Sequence, residues 1–113
     1  MAIWVSEQLQ KKFDGVCGAM LEKIEESGIA YESVGIFGSY ARREFTLRSD
    51  VDMCIVVDKL PDRAVKGWLY NDAEELGVDL IFVTKERFET ESSLFMTNLR
   101  RDYVELRGKK IEN

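Results

Sequence analysis

Asp50-Val51-Asp52 opens a run, Met53-Cys-Ile-Val-Val57, that is apolar throughout. Alternate residues of a strand share a face, so over a strand Asp50–Val57 the two carboxylates would project side by side. Continuous apolar sequence of this kind belongs in a sheet covered on both faces, where a bare carboxylate pair repels itself. A divalent cation removes the conflict. Asp79 sits the same way near the start of a second apolar strand, Val78–Val83, reached through the helix-like stretch Asp62–Leu76. If the two strands are neighbours, three carboxylates converge at one end of the sheet. Hard oxygen ligands suit Mg²⁺, which leaves positions for water and substrate phosphates.

Gly38-Ser39 supplies the other half of a phosphate site. Tyr31–Phe37 reads as a strand and Ser39–Glu44 as a short helix that Ser39 would cap. A glycine before that helix lets a phosphate approach the backbone, facing free N–H groups and the positive helix end. Arg42 could add positive charge. Most of these residues also have plainer uses: Ser39 as a cap, Gly38 as a turn, Asp50 as a turn after Ser49, and Arg42 as a solvated charge or the partner of a nearby carboxylate. Asp52 resists such a use, because aspartate is disfavoured inside a strand. The joint spacing of the Gly-Ser turn, the Asp pair and the third Asp points to phosphate chemistry where no single residue does.

The elements that must position these residues follow from periodicity. Ser6 can cap a first helix reaching about Ser27, with Leu9, Phe13, Val16, Cys17, Met20, Leu21 and Ile24 at helical spacing and Gly28 ending it. Pro61-Asp62 starts a second helix that ends at Gly77, with Val65, Trp68, Leu69, Ala73 and Leu76 facing the sheet. No repeat, low-complexity tract or linker interrupts the 113 residues, so residues 1–113 read as a single domain. Strands separated by helices predict an α/β or α+β layered fold, a mixed sheet flanked by helices.

Composition narrows the chemistry. Hydrophobic content of 45% and charged content of 33% are those of an ordinary globular protein. A net charge of −5 argues against direct binding of a nucleic-acid backbone, which needs a basic surface to displace counterions. The absence of histidine excludes histidine-based zinc sites, Ser-His-Asp triads and histidine general bases. Cys17 and Cys54 lie among apolar residues and read as buried free thiols of a reducing cytoplasm. No signal peptide or apolar run of membrane-spanning length is present, and Lys109-Lys110 reads as a solvated tail.

Gly38-Ser39-Tyr-Ala-Arg42, Ser49-Asp50-Val-Asp52 and Asp79 together resemble the signature of the minimal nucleotidyltransferases of the DNA polymerase β superfamily. The likeness extends to the order of elements over essentially the whole chain, including the ending Leu94–Leu106, similar to the family's closing helix and short final strand. It departs at Arg43, where the family usually has glycine. The resemblance implies a nucleotidyltransferase fold and transfer of a nucleoside monophosphate, AMP from ATP, to an acceptor hydroxyl. Asp50, Asp52 and Asp79 would be the catalytic metal ligands for two Mg²⁺ ions, and Gly38, Ser39 and Arg42 would bind the nucleotide. Because the chain carries no acceptor-binding domain, the likeness further implies the subgroup that works beside a HEPN-domain toxin and adenylylates one of its tyrosines. The alternatives are modification of a small molecule such as an aminoglycoside, with an acceptor site built across a homo-oligomer, and a non-catalytic antitoxin that acts by contact.

Overall fold

The computed structural model describes residues 2–44 and 50–111. Helix α1 spans Ala2–Ser27 and already includes Ser6, so it begins four residues before the cap expected there. Its C-terminal end is the expected one: Gly28 turns left-handed at φ 74°, and its N–H donates to the Glu25 carbonyl at 3.1 Å. Strand β1 is Ser33–Phe37, shorter than the expected Tyr31–Phe37 because Tyr31 makes only a single bridge, to Lys110. The chain continues through α2 (Gly38–Ala41), β2 (Val51–Val57), α3 (Arg63–Leu76), β3 (Val78–Thr84), α4 (Lys85–Thr90), α5 (Leu94–Asp102) and β4 (Val104–Arg107).

The four strands form one sheet in the order β3-β2-β1-β4, with β2 and β3 parallel and the other pairs antiparallel. It is the mixed sheet the sequence predicts. Pleating sends alternate residues to opposite faces. Val34, Ile36, Val51, Met53, Ile55, Val57, Val78, Leu80 and Phe82 join the stripes of α1 and α3 in one core, while Cys54, Val56 and Val83 join Met96 and Leu99 of α5 in a second. Both faces are thus covered, which is why β2 reads as unbroken apolar sequence.

Helix α3 and the C-terminal tail differ from expectation in what they bury or bind. On α3, Leu69 and Ala73 are buried and Val65 and Leu76 partly so, but Trp68 is 66% exposed. Consecutive helical residues are about 100° apart, so a stripe centred on Leu69 carries its neighbour Trp68 out to the flank. Lys110 is no free tail residue: its Nζ lies 2.7 Å from the Glu25 carboxylate, beside the backbone pairing of Lys110 with Tyr31. At the far end of α5, the Tyr103 ring lies across Gly35, where a Cβ would stand 2.4 Å from a ring carbon. The glycine in β1 is therefore required by close approach.

Candidate active site

β1 ends, and β2 and β3 begin, at the same end of the sheet. There the register places Phe37 opposite Asp52 and Asp52 opposite Asp79, so three successive strands present Gly38, Asp52 and Asp79 in a row. Asp50 lies just outside β2 and is exposed, Asp52 is half-buried inside it, and Asp79 is exposed on the edge strand. Ser49 lies outside the described residues.

The carboxylates sense one another. Burial, then the charges of Asp79 and Asp50 and a hydrogen bond with Asp79, push Asp52 up from 3.8 to about 6, while Arg42 works in the opposite direction. Asp52 is thus the common member of the group. Among the described residues, no three His, Cys, Asp or Glu side chains already stand together as a metal-holding group. The donor set nonetheless fits a cation such as Mg²⁺, which needs only one or two protein carboxylates beside its waters. Asp52 and Asp79, in register on neighbouring parallel strands, could supply them, with the charge of Asp50 close by.

Gly38 brings the phosphate-type turn into direct contact with this pair. It is the first residue of α2, at φ 73°, and a Cβ on it would fall 2.3 Å from Oδ2 of Asp52. Only glycine serves here, for its backbone angle and for the closeness of the carboxylate. Gly38→Ala should cost about 1–2 kcal/mol in backbone strain and force Asp52 to turn away; a denaturant midpoint equal to the wild type's would contradict the contact. Ser39 is not the helix cap. Phe37 occupies the N-cap position with no side-chain hydrogen bond, and Ser39 lies inside the first turn. The four-residue helix is held instead by its buried Tyr40, whose ring packs edge-on to Phe13 at 5.8 Å and whose hydroxyl donates to Asp14 of α1.

Arg42 lies at the C-terminal end of α2 with its guanidinium 2.7 Å from Asp102 of α5 and 3.2 Å from Glu44. It therefore ties the Gly-Ser helix to α5 while still favouring ionisation of Asp52. Sequence reasoning could not place Asp102, sixty residues away, at this site. Arg43, the departure from the family pattern, adopts the left-handed angle that glycine would, φ 64°. The turn is preserved at the expense of strain. Relief of about 1–2 kcal/mol outweighs the extra unfolded-chain entropy of glycine, so Arg43→Gly should stabilise the protein by about 0.5–1 kcal/mol. Thermal melts would check this, and an unchanged or lower midpoint would mean Arg43 makes a compensating contact.

A groove of about 380 Å³ adjoins the far side of the carboxylate row, lined by Asp50, Tyr70, Glu74, Gly77 and Asp79 among others. Tyr70 and Glu74 escaped sequence reasoning, which treated α3 only as a core helix; their spacing of four, one helical turn, was the available signal.

A mixed sheet with the Gly-Ser helix beside the strand that carries Asp52, and a further Asp on the next parallel strand, is the arrangement expected of the nucleotidyltransferase fold. The family model described as a nucleotidyltransferase domain matches residues 19–108, and the chain belongs to that family. No curated protein matches it in sequence. Among solved structures, it is similar to a protein from Sulfolobus solfataricus assigned as a nucleotidyltransferase, at 19% identity and a TM-score of 0.62, over 94% of this chain and 93% of that one. It is also similar to a chain of a toxin–antitoxin structure with AMP-PNP, at 17% identity and a TM-score of 0.59, over 82% of this chain and 73% of that one. At these identities the structural likenesses speak for the fold.

Proposed function

We propose that this protein transfers AMP from ATP to an acceptor hydroxyl, with release of pyrophosphate, and that the acceptor is a tyrosine of a HEPN-domain toxin for which it serves as antitoxin in the cytoplasm. The observation that carries the reading is the contact between the Gly38 turn and the Asp52 carboxylate, with Asp52 in register beside Asp79 on the neighbouring parallel strand. A phosphate-approachable backbone and a hard-oxygen pair there adjoin each other. The toxin–antitoxin neighbour with AMP-PNP supports both the nucleotide and a protein partner. The net charge of −5 disfavours a nucleic-acid acceptor.

In this mechanism the backbone N–H groups at Gly38 and Ser39 hold the outer phosphates. Arg42, engaged with Asp102 and Glu44, adds long-range positive charge and fixes the turn. Asp52 and Asp79, with Asp50 beside them, would hold the metal. Mg²⁺, when bound, would neutralise charge building on the phosphoryl oxygens and the leaving pyrophosphate. The acceptor oxygen attacks the α-phosphorus as the bond to the α–β bridging oxygen breaks, and Asp79 takes the hydroxyl proton. Most of the barrier reduction then comes from positioning and charge stabilisation.

Incubation with Mg²⁺, ATP and the product of the adjacent gene, followed by intact-mass measurement, should find one or more AMP groups on the partner. AMP on an aminoglycoside instead, with the partner unmodified, would move the acceptor to the small-molecule class. Tight binding and inhibition of the partner with no mass change would leave only the contact antitoxin.

A further inference from the structure

Asp52 and Asp79 project away from the α1 and α3 core. Cys54 and Val56, at even spacing from Asp52, and Ile81 and Val83, at even spacing from Asp79, pack with Met96 and Leu99 of α5, so the carboxylates lie on the α5 face of the sheet. Phe37 shares that face. It stands directly opposite Asp52 in the antiparallel pair of β1 and β2 and packs against the same α5 cluster. Its ring meets the ring of Phe95, in the first turn of α5, at 6.2 Å and 87°. That turn is fixed by a cap, the Ser93 Oγ accepting from the Met96 N–H at 3.2 Å. Phe95 is nevertheless 54% exposed, and its neighbour Leu94 is exposed as well. An aromatic ring held rigidly in solvent beside paired carboxylates suits the flat apolar face of a ligand. A nucleotide carries its groups in the matching order. One ribose separates its α-phosphate from its base, and one side chain, Phe37, separates Asp52 from the Phe95 ring.

We propose that Phe95, with Leu94 at its side, is the nucleobase platform of this site and makes it selective for purine over pyrimidine triphosphates. The inference rests on the nucleotidyl-transfer reading and adds to it the residue that sorts the base. With the outer phosphates at the Gly38 turn and a metal at Asp52, the base lies over the Phe95 ring. Phe37 is a positioning residue: it meets Phe95 through its ring, and its chain runs directly into Gly38, so it ties the platform to the phosphate turn. Neither Leu94 nor Phe95 offers a hydrogen-bonding side chain. Discrimination therefore comes from stacked area, which is larger for a purine.

The test measures by calorimetry the binding of Mg-ATP, Mg-CTP and Mg-tripolyphosphate, the last carrying the phosphates without a base. The wild type should bind Mg-ATP about fivefold more tightly than Mg-CTP. Phe95→Ala should weaken Mg-ATP by about tenfold to a hundredfold, the loss of one stacked base, while bringing ATP and CTP together and leaving Mg-tripolyphosphate unchanged. Phe95→Leu keeps an apolar side chain against Phe37 and should behave as Phe95→Ala does, whereas Phe95→Trp should retain tight Mg-ATP binding. Equal loss of Mg-ATP and Mg-tripolyphosphate in Phe95→Leu would overturn the proposal by making the ring a support of the Gly38 turn. Variants that bind Mg-ATP as the wild type does, or a wild type that binds Mg-ATP and Mg-CTP alike, would overturn it directly. A wild type that binds neither Mg-ATP nor Mg-tripolyphosphate would instead remove the nucleotidyl-transfer reading, and the platform with it.

Discussion

Mg²⁺ and ATP together should raise the melting temperature by about 10 °C or more when the nucleotide is at one hundred times its dissociation constant. A ligand at that excess adds about 2.7 kcal/mol to folding, and in a domain of about one hundred residues each kilocalorie moves the midpoint by about 4–8 °C. The physical source is visible in the ligand-free protein. Asp52 is held half-buried against Asp79 and Asp50, and its carboxyl is pushed up to about 6 by burial and by those like charges. A bound cation would convert the repulsion to attraction, and the Gly38 turn, which lies directly against Asp52, would meet the phosphates that arrive with it. A thermal-shift titration that stays flat at millimolar nucleotide would remove the site.

Asp52→Asn should separate catalysis from stability more sharply than any other single change. Loss of the central carboxylate should lower transfer by a factor on the order of 10²–10³ or more. The ligand-free protein, by contrast, should become more stable at neutral pH. Because the folded carboxyl titrates above its unfolded value, the folded state binds the proton more tightly. The wild type is accordingly favoured at low pH and loses stability as pH rises from about 4 through about 6. Asparagine carries no such charge. The variant's advantage should be absent near pH 4, grow through pH 6 and level off above it, reaching about 1–2 kcal/mol after allowance for solvent screening at a half-buried group. Melts of both proteins across that range would check it. A variant that unfolds at pH 7 would make Asp52 a structural residue.

What the sequence revealed of this fold, and what it hid, divides along a physical line. Strands β2 and β3, buried on both faces, and the long amphipathic stripes of α1 and α3 were legible because burial repeats along each of them. The pairing of Asp52 with Asp79 was legible because parallel neighbours starting at the same end bring residues one past each strand start into register. Local capping was not. Ser39 looks like a cap, yet α2 is held by Tyr40 reaching Asp14 of α1, a tertiary contact that no local pattern encodes. Ser6 fails for a related reason, since α1 extends beyond it to Ala2. Arg43 marks where sequence preference and backbone need conflict, and the backbone wins at φ 64°. The ion pair from Arg42 to Asp102 and the groove beside Tyr70 depend on how α5 and α3 dock, which pattern alone leaves open.

The most direct measurement follows the α-phosphate itself. With ATP labelled at the α-phosphorus, Mg²⁺ and the adjacent-gene partner, the wild type should pass label to a partner tyrosine and release one pyrophosphate for each label transferred. Asp50→Asn, Asp52→Asn and Asp79→Asn should each stop both events while still binding the partner. Label transfer that survives Asp52→Asn, or a partner silenced equally by wild type and all three variants with no label on it, would contradict the catalytic role given to these aspartates.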